Sequence, residues 1–464
     1  MTEELPRDLP VLERRAVRVV VLDAEPARRS TNRSNSGPDR PGGRAEPAGG
    51  GQSGAMTSLQ EPLARYAERL HAAVDPGHHV ASPLGAWLLL ALCGSAATGA
   101  ERDELADVLG MDPSAAAATA AALLAEPHPL VPAATAVWHH VGYDPGRLAD
   151  WYADLPPRTT TGPLPTQDAL DAWAREHTLG LIDRFPLRLT SQVVLALASA
   201  LATRISWADP FDLTPAAALG SASPWAGSLT RALRAPERGH RCWIAATERA
   251  GEVIVHVATA QPATTEGRRA GLAVVSVAAA PDVAPGDVLA AAYRLGAAAV
   301  AGAEPGRRSL FELPLGETAL WSVREERVRT RARDGREERH TAVLPCWSAR
   351  SEHDLTAPGL GFPAAIRAVA GVDAQAEARQ AAMARFGRYG FEAAAVTGAF
   401  ALVSLPPEGV ARTAELRFGH PYAVVALATD ERPDGVGPWH GVPVFSAWVA
   451  EPEEPSPADL ADPA

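Results

Sequence analysis

Apolar residues recur at helical spacing early in the chain and in short strand-like runs further along it. The helical stripes predict helices over residues 57–74, 100–110 and 168–185. Ser82-Pro83 is typical of a helix start, because serine caps a helix and proline suits its first turn. Strand-like runs occupy residues 193–205, 250–258, 271–279, 308–313, 318–329 and 421–428. Helices followed by strands, without regular βαβ units, favour an α+β fold class over a doubly wound sheet.

The two ends of the chain differ in composition from its middle. Residues 24–55 are rich in Arg, Pro, Gly and Ser and almost free of large apolar side chains, so they cannot bury enough surface to offset the entropy of ordering. We expect a disordered tail over residues 1–55, in which Val17–Leu22 is at best a weak strand. Residues 453–464 are predicted to be an acidic, proline-rich tail. The sequence thus predicts a single domain over residues 56–452.

Composition and charge narrow the class of protein. The chain has 464 residues, with 43 basic side chains that are all Arg and 55 acidic ones, so the net charge is −12 at pH 7. An acidic chain is poorly suited to neutralise phosphates, and we expect no nucleic-acid partner. The absence of Lys together with abundant Ala, Gly and Pro is typical of a GC-rich genome, and we expect a bacterial source.

No pattern in the sequence indicates export or membrane insertion. The first ten residues carry acids and prolines where a signal peptide needs basic residues and an apolar run. The most apolar stretch, residues 83–97, is too short to span a bilayer. Cys93, Cys242 and Cys346 are odd in number and far apart, which predicts free thiols in a reducing compartment. We therefore expect a cytoplasmic protein without a membrane partner, with an extracellular location as the alternative.

The chain lacks the common catalytic motifs. It has no P-loop, HExxH or GxSxG pattern. The doublets His78-His79 and His139-His140 lack a third ligand at a helical offset, and we interpret them as solvated loop histidines. His240 and Cys242 alone do not make a zinc site. The sequence therefore predicts no enzyme, no metal site and no cofactor.

Six segments, taken in order, carry a resemblance to one protein family. They are Ser82-Pro83 with the Gly-, Thr- and Glu-Leu-containing stretch that follows; Leu170–Ile182; Leu195–Leu213, with Trp207, Pro210 and Phe211; Val343–Trp347 with Asp354-Leu355 and Leu360–Phe362; Gly390–Thr397; and Phe418–Tyr422 with Val444–Val449. In this order they resemble the serpins, a family of serine protease inhibitors, over roughly residues 57–452, although residues 215–340 match only loosely. The resemblance implies a metastable α+β fold with helices packed on mixed and antiparallel sheets and an exposed reactive-centre loop.

The resemblance places the hinge of the reactive loop near the end of the domain. The hinge residues are Gly390, Phe391, Glu392, Ala393, Ala394, Ala395, Val396 and Thr397. A loop that inserts into a sheet needs a strand pattern with one uncharged face, and every second residue from Phe391 to Val403 is uncharged. The pattern therefore permits insertion with the Phe391 set inward. The alternative is an ordinary surface loop, since Ala runs are frequent in this chain.

The sequence departs from the family's pattern at the hinge and at the opening of the main sheet. Arg388-Tyr389 precede Gly390 and Phe391 follows it, where inhibitory members usually have acids and a small hydroxyl residue. A ring that enters a packed sheet is expected to slow insertion, at a cost of about 1–3 kcal/mol. The sheet-opening region comprises Ser82, Ser199, Trp207 and Gln380. Gly85, Ser199 and Gln380 stand where the family has Ser, Asn and His.

The sequence leaves two regions as candidates for the scissile bond. By the family's usual spacing, counting from Gly390 indicates Ser404-Leu405, whereas counting back from Phe418 indicates a bond nearer Val410. Arg412 is the natural bait for a trypsin-like enzyme, but cleavage there would leave a slack tether. We prefer Phe400–Leu405 as the bait region, and a chymotrypsin-, elastase- or subtilisin-like protease as the partner.

The resemblance implies a monomeric serine protease inhibitor that acts as a suicide substrate. The protease would cleave the loop, and the loop would then insert into the main sheet. The alternative is a non-inhibitory binding or scaffold protein with the same fold, whose loop is a simple protease substrate.

Overall fold

A computed structural model describes residues 16–24, 59–140, 149–188, 190, 193–265, 267–371, 375–390 and 407–461. The helices in these residues are α1 (Gln60–Ala73), α2 (Pro83–Cys93), α3 (Gly99–Leu109), α4 (Pro113–Ala125), α5 (Ala149–Ala153), α6 (Gln167–His177), α7 (Pro285–Val300), α8 (Phe362–Ala370) and α9 (Pro457–Leu460).

The strands form three sheets. In chain order they are β1 (Ala16–Ala24), β2 (His79–Ala81), β3 (Ala133–His139), β4 (Thr160–Pro163), β5 (Val193–Ala202), β6 (Asp212–Pro215), β7 (Arg231–Arg234), β8 (Arg241–Thr247), β9 (Gly251–Thr259), β10 (Ala263–Thr265), β11 (Arg268–Ala279), β12 (Gly316–Glu317), β13 (Trp321–Arg329), β14 (Arg336–Leu344), β15 (Trp347–Asp354), β16 (Gln375–Phe386), β17 (Glu408–Arg417), β18 (Tyr422–Arg432), β19 (Gly435–Val436) and β20 (Pro443–Val449). The main sheet has the order β15-β16-β1-β5-β3-β4. The second sheet has the order β2-β20-β18-β11-β9-β8, with β10 on β11 and β19 on β18, and the third has the order β12-β13-β17-β14-β7-β6.

The largest hydrophobic core surrounds α2 and joins the main sheet to the second sheet. Every residue of α2 is buried, as expected for a helix that is apolar all round. The helix starts where the sequence predicts, because the Ser82 hydroxyl accepts a hydrogen bond from the Gly85 amide at 3.2 Å. A second core lies between the second sheet and α7. A third lies between α6 and the main sheet.

Most predicted elements are present, and two need correction. The helix predicted over 168–185 ends at His177, because the Thr178 hydroxyl bonds to the Ala174 carbonyl and Leu179 turns the chain at a φ of 55°. The run 308–313 is not a strand: Leu310–Glu312 is a short 3-10 turn capped by the Ser309 hydroxyl. The α+β fold class is confirmed.

The N-terminal strand β1 corrects the prediction of a tail over residues 1–55. It lies in the middle of the main sheet, and Val20 is 0% exposed in the core beneath α6. Strands enclosed on both faces are typically near-continuous runs of β-branched residues, and VRVVVL at 17–22 is such a run. The prediction is wrong for Ala16–Ala24, and residues 1–15 and 25–55 lie outside the described residues.

The C-terminal residues also depart from the predicted tail. Within 453–461, the Glu453 amide donates to the Cys346 carbonyl at 2.7 Å, and α9 begins with a reciprocal capping box between Ser456 and Asp459. Asp459 is only 4% exposed. This segment is therefore docked on the domain, while residues 462–464 lie outside the description.

Three further observations concern membranes, thiols and metals. Among the described residues no single helix has the length and apolar character to cross a membrane, although α3 and α4, bent by 54°, pass that test as a pair. Cys93, Cys242 and Cys346 are free thiols, and burial raises the pKa of each. Within the described ranges no cluster of three or more His, Cys, Asp or Glu side chains is placed to hold a metal ion.

Candidate functional site in the main sheet

The centre of the main sheet is a slot one strand wide, which β1 fills. On one side β1 pairs with β16 from Ala16–Gln375 to Ala24–Met383. On the other side it pairs with β5 up to Ala24–Ala202. Both pairings are parallel, so β5 and β16 lie about 10 Å apart, at twice the usual spacing of neighbouring strands.

Three of the predicted sheet-opening residues meet beneath this slot. Ser82, Ser199 and Gln380 are all fully buried. The Ser82 amide donates to Gln380 Oε1 at 3.2 Å, and Gln380 Nε2 donates back to the Ser82 carbonyl at 2.9 Å. The Ser199 hydroxyl donates to the Gly85 carbonyl at 2.9 Å. The first turn of α2 thereby ties β5 and β16 together at the level of Val21, which is in register with both Ser199 and Gln380.

Trp207, the fourth predicted residue, lies at the end of the slot near Gly390 rather than in the polar cluster. Its indole nitrogen donates to the Gly387 carbonyl at 2.9 Å, and its amide donates to the Tyr389 carbonyl at 3.2 Å. Its ring contacts Phe386 at 5.2 Å between centroids. These contacts join the residues that follow β5 to those that follow β16, so the slot ends just beyond Ala24, the last residue of β1.

Gly390 turns the chain at this closed end. Its φ is 69°, a left-handed conformation that suits glycine. A Cβ at this position would lie 2.6 Å from the Ile205 carbonyl oxygen. The predicted start of the reactive loop is therefore a position that only glycine fits without strain.

The C-terminal segment holds Arg388 and Tyr389, the two residues before Gly390 that depart from the serpin pattern. Asp459 Oδ1 accepts the Arg388 amide at 2.9 Å, and the Arg388 guanidinium donates to the Asp459 carbonyl at 3.2 Å. The Tyr389 hydroxyl donates to the Ala461 carbonyl at 2.9 Å, and Asp459 Oδ2 lies 2.6 Å from an Arg385 nitrogen. Arg388 and Tyr389 therefore hold the end of β16 against α9. The sequence offered one signal for this clamp, the capping-box pattern Ser-Pro-Ala-Asp at 456–459.

We expect Asp459→Asn to destabilise the folded chain by about 2 kcal/mol, because Arg385 would lose its buried counter-charge and a capping box would be broken. Thermal unfolding of the full chain measures the effect, with the exposed Glu451→Gln as the matched control. A midpoint for Asp459→Asn equal to that of the control would contradict the clamp.

The loop residues divide between undescribed and described parts of the chain. Phe391, Glu392, Ala393, Ala394, Ala395, Val396, Thr397, Ser404 and Leu405 lie outside the described residues. The connection between β16 and β17 spans residues 387–407, which is 21 residues.

Val410 and Arg412 are described, and their positions correct the scissile-bond prediction. Both lie in β17, which is hydrogen-bonded to β13 on one side and to β14 on the other. The Arg412 guanidinium pairs with Glu325 at 2.9 Å and donates to the carbonyl of Leu310 at 2.8 Å. A protease needs substrate backbone that is not already paired in a sheet. Val410 and Arg412 are therefore not scissile-bond candidates.

Three buried histidine side chains lie in a row beside the slot, an arrangement that the sequence does not predict. His71 Nδ1 lies 2.8 Å from His79 Nε2, and His353 Nε2 lies 2.8 Å from the Val80 carbonyl. His353 is in register with Gln380 of the polar cluster. Burial lowers the pKa of each of the three rings, that of His71 to about 3. His79 is thus a buried core histidine, and its interpretation as a solvated loop residue is wrong.

The fold of this chain is similar to that of solved structures, although its sequence identity to them is low. The sequence matches no protein-family model and no curated protein. Solved structures are nevertheless similar in fold. The thermophilic serpin tengpin in its native state has a TM-score of 0.53 at 11% identity, covering 86% of this chain and 96% of that one.

Two further solved structures agree. Human thyroxine-binding globulin, complexed with its hormone, has a TM-score of 0.51 at 12% identity, covering 85% of this chain and 99% of that one. Arabidopsis AtSerpin1 in its native stressed conformation has a TM-score of 0.50 at 15% identity, covering 85% and 97%. The chain therefore has the serpin fold, with its own N-terminal strand in the centre of the main sheet.

Proposed function

We propose that the protein is a serine protease inhibitor that acts as a suicide substrate. The observation that carries this proposal is the position of Gly390, which lies within the 21-residue connection 387–407 and turns the chain at the end of a slot one strand wide. The alternation from Phe391 to Val403 gives that connection a strand pattern with an uncharged face. A cleaved connection with this pattern suits insertion between β5 and β16.

The mechanism follows from the length of the inserting segment. A protease attacks the loop and forms an acyl-enzyme. Insertion of roughly 12–14 residues at about 3.3 Å each would then move the acyl-enzyme by some 40–46 Å. Distortion of the protease against the domain would dismantle its oxyanion hole, and the loss of those donors stalls deacylation.

We propose Ser404-Leu405 as the scissile bond and a chymotrypsin-, elastase- or subtilisin-like protease as the partner of a monomeric, cytoplasmic inhibitor. Two observations support the choice of bond and of protease class. Val410 and Arg412 are paired within β17, which leaves the region before residue 407 as the bait. The segment Phe400–Leu405 is mostly apolar.

A second candidate function is a non-inhibitory protein with the same fold. The ring at Phe391, the clamped Arg388-Tyr389 pair and the filled slot all oppose rapid insertion. In that case the loop would be cut and the protease released active.

Incubation of the full chain with chymotrypsin, elastase, subtilisin and trypsin tests the proposal. We expect an SDS-stable complex with at least one of the first three, and a large rise in thermal midpoint after the loop is nicked. Cleavage by every protease with neither a complex nor a rise in midpoint would favour the non-inhibitory function.

A further inference from the structure

The strand that fills the slot comes from the opposite end of the chain. β1 precedes α1, and 34 residues, 25–58, connect it to Leu59. It runs parallel to β16, whereas a loop that turns back at Gly390 would run antiparallel to β16. The slot can hold either segment, but only one at a time, because it is one strand wide.

The register of β1 is specified rather than incidental. All nine residues pair with β16 in one unbroken register. A slip by one residue would turn Val20 out of the core in which it is buried, so the sheet selects this register.

The apolar content of β1 also suits the slot. Val20 is fully buried in the core that includes Trp138, Trp173 and Ala198. Residues 17–22 contain four valines, Val20 among them, and a leucine. Burial of the Val20 side chain therefore stabilises β1 in the slot.

We propose that β1 is a built-in occupant of the insertion slot and that its departure sets whether a cut loop traps the protease or releases it. This inference rests on the proposed function. While β1 stays in place, the cleaved loop has no free edges with which to pair, and the acyl-enzyme is hydrolysed. When β1 leaves, β5 and β16 both offer unpaired backbone groups directly below Gly390.

A reversible cross-link in the full chain tests the proposal. Val20 is the register partner of Ala198 on β5, and neighbouring strands place Cα atoms about 4.8 Å apart, within the range of a disulfide. We expect the variant Val20→Cys/Ala198→Cys to cross-link on mild oxidation. Oxidised protein should then lose the SDS-stable complex while its loop is still cut, and reduction should restore the complex.

The matched control moves one cysteine a single strand further away. Ala136 of β3 is the register partner of Ala198, so Val20 and Ala136 lie about 10 Å apart, beyond disulfide reach. Val20→Cys/Ala136→Cys should therefore neither cross-link nor respond to oxidation. The single variant Val20→Cys controls for the effect of the substitution itself.

The possible results separate the two proposals. If the pair does not cross-link, or if the oxidised protein traps as well as the reduced one, β1 does not control the slot and the inference fails while the inhibitor proposal stands. If the pair cross-links but the reduced protein traps no protease, the proposed function fails and the control of trapping fails with it. The cross-link, read by mass spectrometry, would still place β1 in the slot.

Discussion

Lowering the pH from 7 to about 5 is expected to reduce the free energy of unfolding by several kcal/mol. Burial lowers the pKa of His71 to about 3, that of His340 to about 4 and that of His256 well below its usual value. These rings stay neutral in the folded chain, while the unfolded chain binds protons below a histidine pKa of about 6.5. The stability is therefore fully present above that pH and is lost at about 1.4 kcal/mol per pH unit for each ring as the pH falls.

His71 is the ring with which to test this dependence, because its surroundings are simple. His79 faces it on one side and the Ser446 hydroxyl on the other, at 2.7 Å, with His353 beyond. His71→Gln should lower the free energy of unfolding at neutral pH. It should also reduce the slope of that free energy against pH by the contribution of about one proton. Denaturant unfolding between pH 5 and pH 8 measures both, with the exposed His140→Gln as the control. A slope for His71→Gln identical to that of the parent chain would contradict the assignment.

Local chemistry explains which elements could be predicted from the sequence. The start of α2 depends on Ser82 and Pro83, and the end of α3 depends on Gly110, which has a φ of 71°. Each signal lies within a few residues of the element that it ends or begins. The polar cluster needed more, because Ser82 and Gln380 are 298 residues apart. Only the resemblance to a family brought those residues together before the fold was seen.

The errors concern segments whose partners are remote. The run VRVVVL is short and its flanking residues are polar, so the sequence predicts at best a weak strand at this position. Its pairing strands, β5 and β16, lie more than 170 residues further along the chain. The Pro and acidic neighbours of Asp459 predict a tail, whereas in the fold Arg385 and Arg388 bind Asp459 and bury it. The composition of a segment depends only on neighbouring residues in the sequence, whereas its burial depends on the remote residues that pack against it.

Ala395→Arg is expected to abolish inhibition and to leave the native fold intact. By the alternation that begins at Phe391, Ala395 belongs to the set that would face inward after insertion. Burying an unpaired guanidinium costs several kcal/mol, which is enough to stall insertion as a kinetic step. The loop would still be cut, and the protease would be released active.

The neighbouring position supplies the control, because Ala394 belongs to the opposite set and the same substitution there should be much milder. The ratio of covalent complex to cleaved chain, read on SDS gels with one protease, compares the two variants directly. Equal trapping by Ala395→Arg and the parent chain would show the alternation register to be wrong. If the parent chain traps nothing, Phe391→Thr becomes the informative variant, since it removes the ring that must enter the sheet first. Recovery of trapping in that variant would identify Phe391 as the residue that prevents inhibition, because a hydroxyl side chain enters a close-packed sheet without the overpacking that a ring imposes.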